Sequence, residues 1–333
     1  MSSEDNSSYN DISLFDIDTQ RFYLIQFWIF LILTILSMIC SLFTLYHLLH
    51  DRTLRQALYN HIIIILLIID VFYQFIDTSY FIHYFRCFKS FSSSPAFRLI
   101  WGFVDWAFYD LQILLYTWAT IERHILIFHD QLLVTRKKRF VFHYIPPITI
   151  TIYCLLYHTI IFFVFQCENI FDNLITPSFY PCAFQTNALF MYETIVNQTL
   201  STFVIVISSV LLLIRVVWQR FHMHQQIHWR RHRKMTIQVL SISFIYLILP
   251  FPYTFITFLH LCGIPSYIGA EFLSRAAFAP YYTLFLLPIV SVGSLPELRA
   301  KFKNILHFRR QRRVIHPANL IRVRMTNNRI VMK

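Results

Sequence analysis

Seven apolar segments, each long enough to cross a bilayer, constrain this chain more than any other feature. They fall at about residues 22–49, 57–83, 98–124, 141–166, 188–217, 235–261 and 272–292. Roughly 20 apolar residues in a helix cover a hydrocarbon core of about 30 Å. Within that core each backbone amide must bond inside its own segment, so every segment reads as a helix. The expected fold is all-α: a seven-transmembrane helix bundle. Composition points the same way, since only 14% of the 333 residues are charged, against about 25% in soluble domains. Residues 1–20 have no basic start and no short apolar core, so no cleavable signal peptide is expected. No internal repeat stands out, which weighs against a transporter built from inverted halves.

Lys and Arg set the orientation. The loops after the first, third and fifth segments and the tail after the seventh carry two, four, six and eleven of them, 23 of the 29. The positive-inside rule places that side in the cytosol and the N-terminus outside. The net charge of +12 is then a topology signal and not a nucleic-acid footprint. The chain divides into an extracellular tail (1–21), the membrane domain (22–294), a membrane-surface helix (295–308) and a basic cytoplasmic tail (309–333). Leu298, Phe302, Ile305 and Leu306 fall at i, i+4, i+7 and i+8, with basic residues on the other face, which makes 295–308 an interfacial helix along the bilayer. Asn6 opens a glycosylation sequon in the exposed tail. Asn197-Gln198-Thr199 also matches, but inside the fifth segment, where a sequon is chance.

Chemistry concentrates on the third segment. Asp105 lies eighteen residues before Glu122-Arg123-His124, a separation of roughly 27 Å along a helix. One helix can thus present an acid to one side of the membrane and an ionic triplet to the other. Asp70 stands in the run HIIIILLIIDVFYQF, and an acid in a span is costly enough to suggest function. Its bland alternative is a buried neutral carboxyl with local hydrogen bonds. Asp77, Asp110 and Glu193 also lie in apolar runs. They read either as a polar cavity or as local hydrogen bonding at span ends, the latter preferred for Glu193. His61, His83 and His158 are scattered, with no paired ligand spacing within a span, so no metal site is expected. His224, His228 and His232 repeat every four residues in a loop rich in arginine and read as a solvated helix extension. The cysteines Cys87, Cys167, Cys182 and Cys262 fall near one set of loops, and their connectivity is open.

With Glu122-Arg123-His124 at the inner end of the third of seven spans, the chain resembles a rhodopsin-like (class A) G-protein-coupled receptor, of a divergent invertebrate type. Asn60 and Asp70, ten apart with Leu66 between, match the family's second-span pattern. Trp101 matches the tryptophan at the outer start of the third span. Pro250 and Pro288 match the kink prolines of the sixth and seventh, and Phe244 the aromatic six residues before the first of these. Several positions depart: Ile248, Leu287 and Ser291 replace the expected Trp, Asn and Tyr, and Arg98 stands where the outer disulfide cysteine would be. Cys87 pairing with Cys167 or Cys182, or Cys167 with Cys182, remain the alternatives.

The resemblance implies an extracellular ligand, a heterotrimeric G protein and the lipid bilayer as partners. It implies no enzymatic activity and no cofactor beyond a sodium ion near Asp70. Glu122, Arg123, His124, Asp70, Asn60, Phe244, Pro250 and Pro288 would serve coupling and activation, with Arg123 paired to Glu122 at rest. Asp105, Trp101, Trp106, Phe251, Tyr281 and Tyr282 would line the ligand site. The offset of Asp105 matches the acid that binds amines in amine receptors, with Tyr281 facing it. Without the rest of that context, a neuropeptide or small chemical stands ahead of an amine. An opsin is disfavoured, because Tyr281 holds the place of the retinal lysine and no Lys lies between 272 and 292. A seven-span ligand-gated channel or transporter is the competing class; odorant-receptor channels of this type place the N-terminus inside.

Overall fold

The computed structural model describes residues 4–87, 94–128, 135–165, 170–172, 178–222, 226–294 and 298–302. Five of the described helical segments are long and apolar enough to cross a membrane: Gln20–His50, Asn60–Cys87, Arg136–Val164, Asn187–Arg215 and Ala270–Ser294. A sixth is a broken pair, Ile237–Ile248 and Pro250–Leu261, bent by 45°. Proline at the first position of the upper half lacks an N–H and cannot continue the ladder below it, which accounts for the bend at Leu249. The remaining helix, Pro95–Phe128, is 34 residues long. It is less apolar because Arg98, Asp105, Asp110, Gln112, Glu122 and Arg123 lie along it. It completes the seven, in chain order the third, and the boundaries fall within a few residues of those read from hydropathy.

The third span can carry those polar groups because it is the one the others surround. It packs against the second, fourth, fifth and sixth spans. The sixth also contacts the fifth and seventh, and the seventh packs on the first, which packs on the second. The outer faces are apolar and exposed, as a lipid-facing surface must be: Ile32, Ile39, Leu156 and Ile207 each expose more than half of their surface. Two dense clusters fill the interior. Near the end opposite the basic loops, Phe30 is fully buried among Phe81, Phe85, Phe278, Tyr282 and Phe285, with ring centroids 5.2–6.0 Å apart. Such tilted and edge-on pairs add to the dispersion that holds helices together in lipid. Toward the basic end, Ile62, Leu66, Leu111, Leu115 and Tyr116 form a second core.

Several spans contain π-helical turns: Gln74–Thr78 in the second, Phe140–Tyr144 and Ile160–Val164 in the fourth, Glu193–Leu200 in the fifth. Such turns recur at functional sites. Here two of them hold buried acids, Asp77 and Glu193. Ile170–Asp172 and Ser178–Tyr180 pair as antiparallel strands, the second of them against the third span, and they are the only strands among the described residues. The turn after them, Cys182–Gln185, dips into the bundle and buries Cys182, Ala183 and Phe184.

The first helix runs without a break from Glu4 to His50, so it includes most of the segment read as the extracellular tail. Asn6 lies on this extension, with its side chain outside those described. Of the expected membrane-surface helix, residues 298–302 are described. Leu298 is fully buried and Phe302 meets Phe43 edge-on at 5.3 Å, so its start docks on the base of the first span. Lys301 donates to Asp51 Oδ2 at 3.1 Å, tying that start to the turn between the first two spans. Residues 303–308, the 309–333 tail, Cys167 and His224 lie outside the described residues.

Candidate functional site

At the basic end, Arg123 is 1% exposed and turned into the bundle, away from lipid. Glu122, also buried, takes His143 of the fourth span as its partner, where the sequence pairs it with Arg123. His143 Nε2 lies 2.9 Å from His61 Nδ1, and His61 Nε2 lies 2.9 Å from the Arg55 carbonyl. Both ends of this chain are acceptors when Glu122 is ionised. Two neutral histidines cannot fill all three contacts, so the relay needs one further proton, on an imidazole or on the carboxyl. No sequence signal linked these residues, because they come from three separate spans.

Three more bonds tie the third span to its neighbours here. His124 Nε2 lies 2.7 Å from the Ser208 carbonyl of the fifth span. The Tyr116 hydroxyl donates to the Val239 carbonyl at 3.0 Å and lies 3.2 Å from Ser243 Oγ, both on the sixth span. Ser209 Oγ donates to Ser243 Oγ at 2.5 Å. The Tyr116 ring also stacks on Tyr246, centroids 4.8 Å apart and nearly parallel. This is a latch of neutral groups across the third, fifth and sixth spans, in a region whose sequence offers no acid on the sixth. Phe244 is not part of it: it is 62% exposed on the outer face, and Tyr246 is the interior aromatic instead. The helical register below the break at Leu249 turns Ser243 and Tyr246 inward, leaving Phe244 between them to face out.

In the middle of the bundle, Asp70 is fully buried and accepts from Ser41 Oγ at 3.0 Å and from Gln74 Nε2 at 2.7 Å. Gln74 also reaches Ser37 Oγ at 2.8 Å, so the second span is stitched to the first. Asn60 donates to the Leu54 carbonyl at 2.8 Å and shapes the turn between these spans. Pro250 and Pro288 are both buried, the latter inside the seventh helix. A small cavity lies nearby, lined by Tyr109, Gln112, Tyr246, Pro250, Thr283 and Leu284.

The expected ligand residues do not form one wall. Asp105 Oδ1 accepts from the Tyr73 hydroxyl at 2.8 Å and the Tyr281 hydroxyl at 2.9 Å, so the acid is held between the second, third and seventh spans. Arg275, at the far end of the seventh span, pairs with Glu271 at 2.7 Å on the surface. Trp101 packs against Tyr80 at 4.1 Å and closes the same side. Trp106 instead meets Phe184 of the inserted turn at 5.0 Å, and Phe251 meets Phe203 of the fifth span at 5.4 Å. Tyr282 turns to the first span, donating to Gln26 at 2.7 Å. The Phe184 turn and these aromatics cap the far half.

Cys87 is free and exposed, which removes it from the disulfide alternatives. Cys182 is disulfide-bonded, whereas Cys40, Cys87, Cys154 and Cys262 are free.

Asp110 of the third span, His158 of the fourth and Glu193 of the fifth are all buried, with one ligand atom from each lying within 4.8 Å of the others. Each had a signal, an ionisable side chain in an apolar run, but nothing in the spacing joined them.

A seven-helix bundle with a buried arginine at its basic end and an aromatic-capped acid in its far half has the architecture of a multi-pass membrane protein. Among solved structures the chain is similar to squid rhodopsin, with a TM-score of 0.61 and 16% identity over 87% of this chain and 86% of that one. What the two share is the fold, a rhodopsin-like seven-helix membrane bundle. No protein-family model and no curated protein sequence matches the chain.

Proposed function

We propose that this chain is a plasma-membrane receptor that transmits binding of an extracellular neuropeptide or small chemical to a heterotrimeric G protein in the cytosol. The observation that carries this is Arg123, enclosed at the basic end beneath a latch joining the third, fifth and sixth spans. In this reading the N-terminus is outside and the C-terminus is cytoplasmic, as the basic loops require. Ligand engagement in the far half favours a state in which the sixth span swings about the bend at Leu249 and Pro250. The Tyr116–Ser243 contact then parts and uncovers Arg123. The ligand acts only through its differential affinity for the two states.

The engaged state of Asp105 supports a ligand other than a simple amine, since a cation would have to displace two tyrosine hydroxyls. Near Asp70, Asp70 Oδ1 and Gln74 Oε1 are buried oxygens without a hydrogen bond, which suits a sodium ion. Such an ion would balance the Asp70 charge and favour the closed arrangement. The test is a panel of peptides, amines and odorants on cells carrying promiscuous G-protein reporters, with an epitope at the N-terminus stained on intact cells. A ligand-dependent signal with surface staining supports the reading. Staining only after permeabilisation contradicts it and favours the channel class.

A further inference from the structure

We propose that Asp110, His158 and Glu193 bind a divalent transition-metal ion that clamps the third, fourth and fifth spans together. The inference concerns ion binding alone and does not rest on the signalling role.

The first argument is geometry. Three donor atoms mutually within 4.8 Å allow a point about 2.8 Å or less from each, and shifts of under about 1 Å bring that to the 2.0–2.2 Å of zinc with imidazole and carboxylate. The second is the state of the donors. Both Asp110 oxygens and His158 Nε2 are buried without a hydrogen-bond partner. The Asp110–His158 approach, at 3.5 Å, is too long and poorly aligned to count as one. Buried polar groups are seldom left so, and a lone pair and a carboxyl aimed at one point are what an ion would use.

Third, the supporting contacts suit ligation. His158 Nδ1 bonds the Cys154 carbonyl at 3.0 Å, which puts the proton on Nδ1 and leaves the Nε2 lone pair facing the cluster. Asn197 donates to Glu193 Oε2 at 2.8 Å and Gln198 approaches Oε1 at 3.4 Å. Asn197 is itself held by the Tyr153 hydroxyl at 2.8 Å, and Tyr153 meets Tyr192 at 3.0 Å. The buried Asn197 thus has a job unrelated to the sequon it completes.

Fourth, charge selects the ion. Two carboxylates and a neutral imidazole cancel a 2+ charge, so the loaded cluster is neutral inside the membrane. Empty, it holds two acids that cannot both ionise in an apolar core without large cost. Magnesium and calcium prefer six or more oxygens, whereas one imidazole and two carboxylates suit zinc or a neighbouring first-row metal.

The test uses the full chain in lipid nanodiscs, with His224, His228 and His232 replaced by alanine so the loop cannot hold metal. After EDTA treatment, Zn²⁺ is titrated, excess ion is removed, and bound zinc and Tm are measured. We expect about one zinc per chain and a rise in Tm of about 5 °C at a hundredfold excess over the dissociation constant. Asp110→Asn and Glu193→Gln keep shape while removing charge, and each should weaken binding more than tenfold. Asn197→Ala, which touches only the supporting shell, should weaken it about tenfold. If the histidine-loop variant binds no zinc and shows no Tm change, or binds equally well with Asp110→Asn and Glu193→Gln, the proposal is overturned. The first of these outcomes needs no substitution within the cluster, so it holds even where those variants misfold.

Discussion

The two ends of the bundle differ in how they treat buried acids. At the basic end, several polar side chains reach across spans and are met, Glu122 by His143, His124 by Ser208, Tyr116 by Val239 and Ser243, although Gln238 and the second Glu122 oxygen are buried without a hydrogen bond. In the far half, Asp77 and Asp110 are fully buried and neither carboxyl has a hydrogen bond. The far half is held instead by aromatic packing around Phe30, with Asp105 and Glu193 each accepting two hydrogen bonds. The contrast separates two roles. Bonds between neutral groups at the basic end hold one arrangement of spans, and they are weak enough to exchange. Unmet acids in the far half are places where an incoming cation or ligand has most to gain.

The comparison can be broken at several points. Phe30→Ala should have the largest effect, costing about 3 kcal/mol of stability, because it opens a cavity where six rings converge. A fall in the SDS fraction needed for unfolding in mixed micelles would measure it, and an unchanged midpoint would show that aromatic packing does not hold the far half. Next, His143→Ala should cost about 2 kcal/mol by stranding the Glu122 carboxyl and breaking the proton relay to His61. The same assay should show a smaller loss than at Phe30. Third, Tyr116→Phe keeps the stack on Tyr246 and removes only the hydroxyl. At about 1 kcal/mol for the lost bonds, the closed-to-open ratio should fall roughly fivefold. Ligand-free G-protein signalling, corrected for surface expression, should rise accordingly.

The smallest effect lies at Asp51. Thr53 and then Lys301 hold its carboxyl down to about 2, from an ordinary 3.8. A depressed carboxyl contributes stability that is complete above about pH 4 and fades as pH falls toward 2. Asp51→Asn should therefore lower Tm slightly near pH 7, with the difference from the parent chain fading over that window and vanishing toward pH 2. Because the group is exposed, the change should be slight.

The spans were legible because membrane length and apolarity act locally, and proline at 250 marked its own bend. The place of Arg123 near the basic end of the third span was also legible. What could not be read is how separate spans meet. The Glu122–His143–His61 relay, the Tyr116–Ser243–Ser209 latch and the Asp110–His158–Glu193 cluster each join residues from different helices, so no spacing along the chain reveals them. Phe244 was misassigned for a related reason: position relative to a proline does not fix helical phase across a 45° break. Glu193 does make the local hydrogen bonds the sequence suggests, to Asn197 and Gln198, but a π-helical turn also carries it into the bundle beside Asp110 and His158.

The central claim is that Arg123 engages a G protein once the latch parts. It can be tested without knowing the ligand, in cells expressing a latch-opened chain with Tyr116→Phe and Ser243→Ala. The account predicts raised ligand-free nucleotide exchange on the G protein, abolished by adding Arg123→Ala at equal surface expression. Exchange that persists undiminished in that triple variant would contradict it.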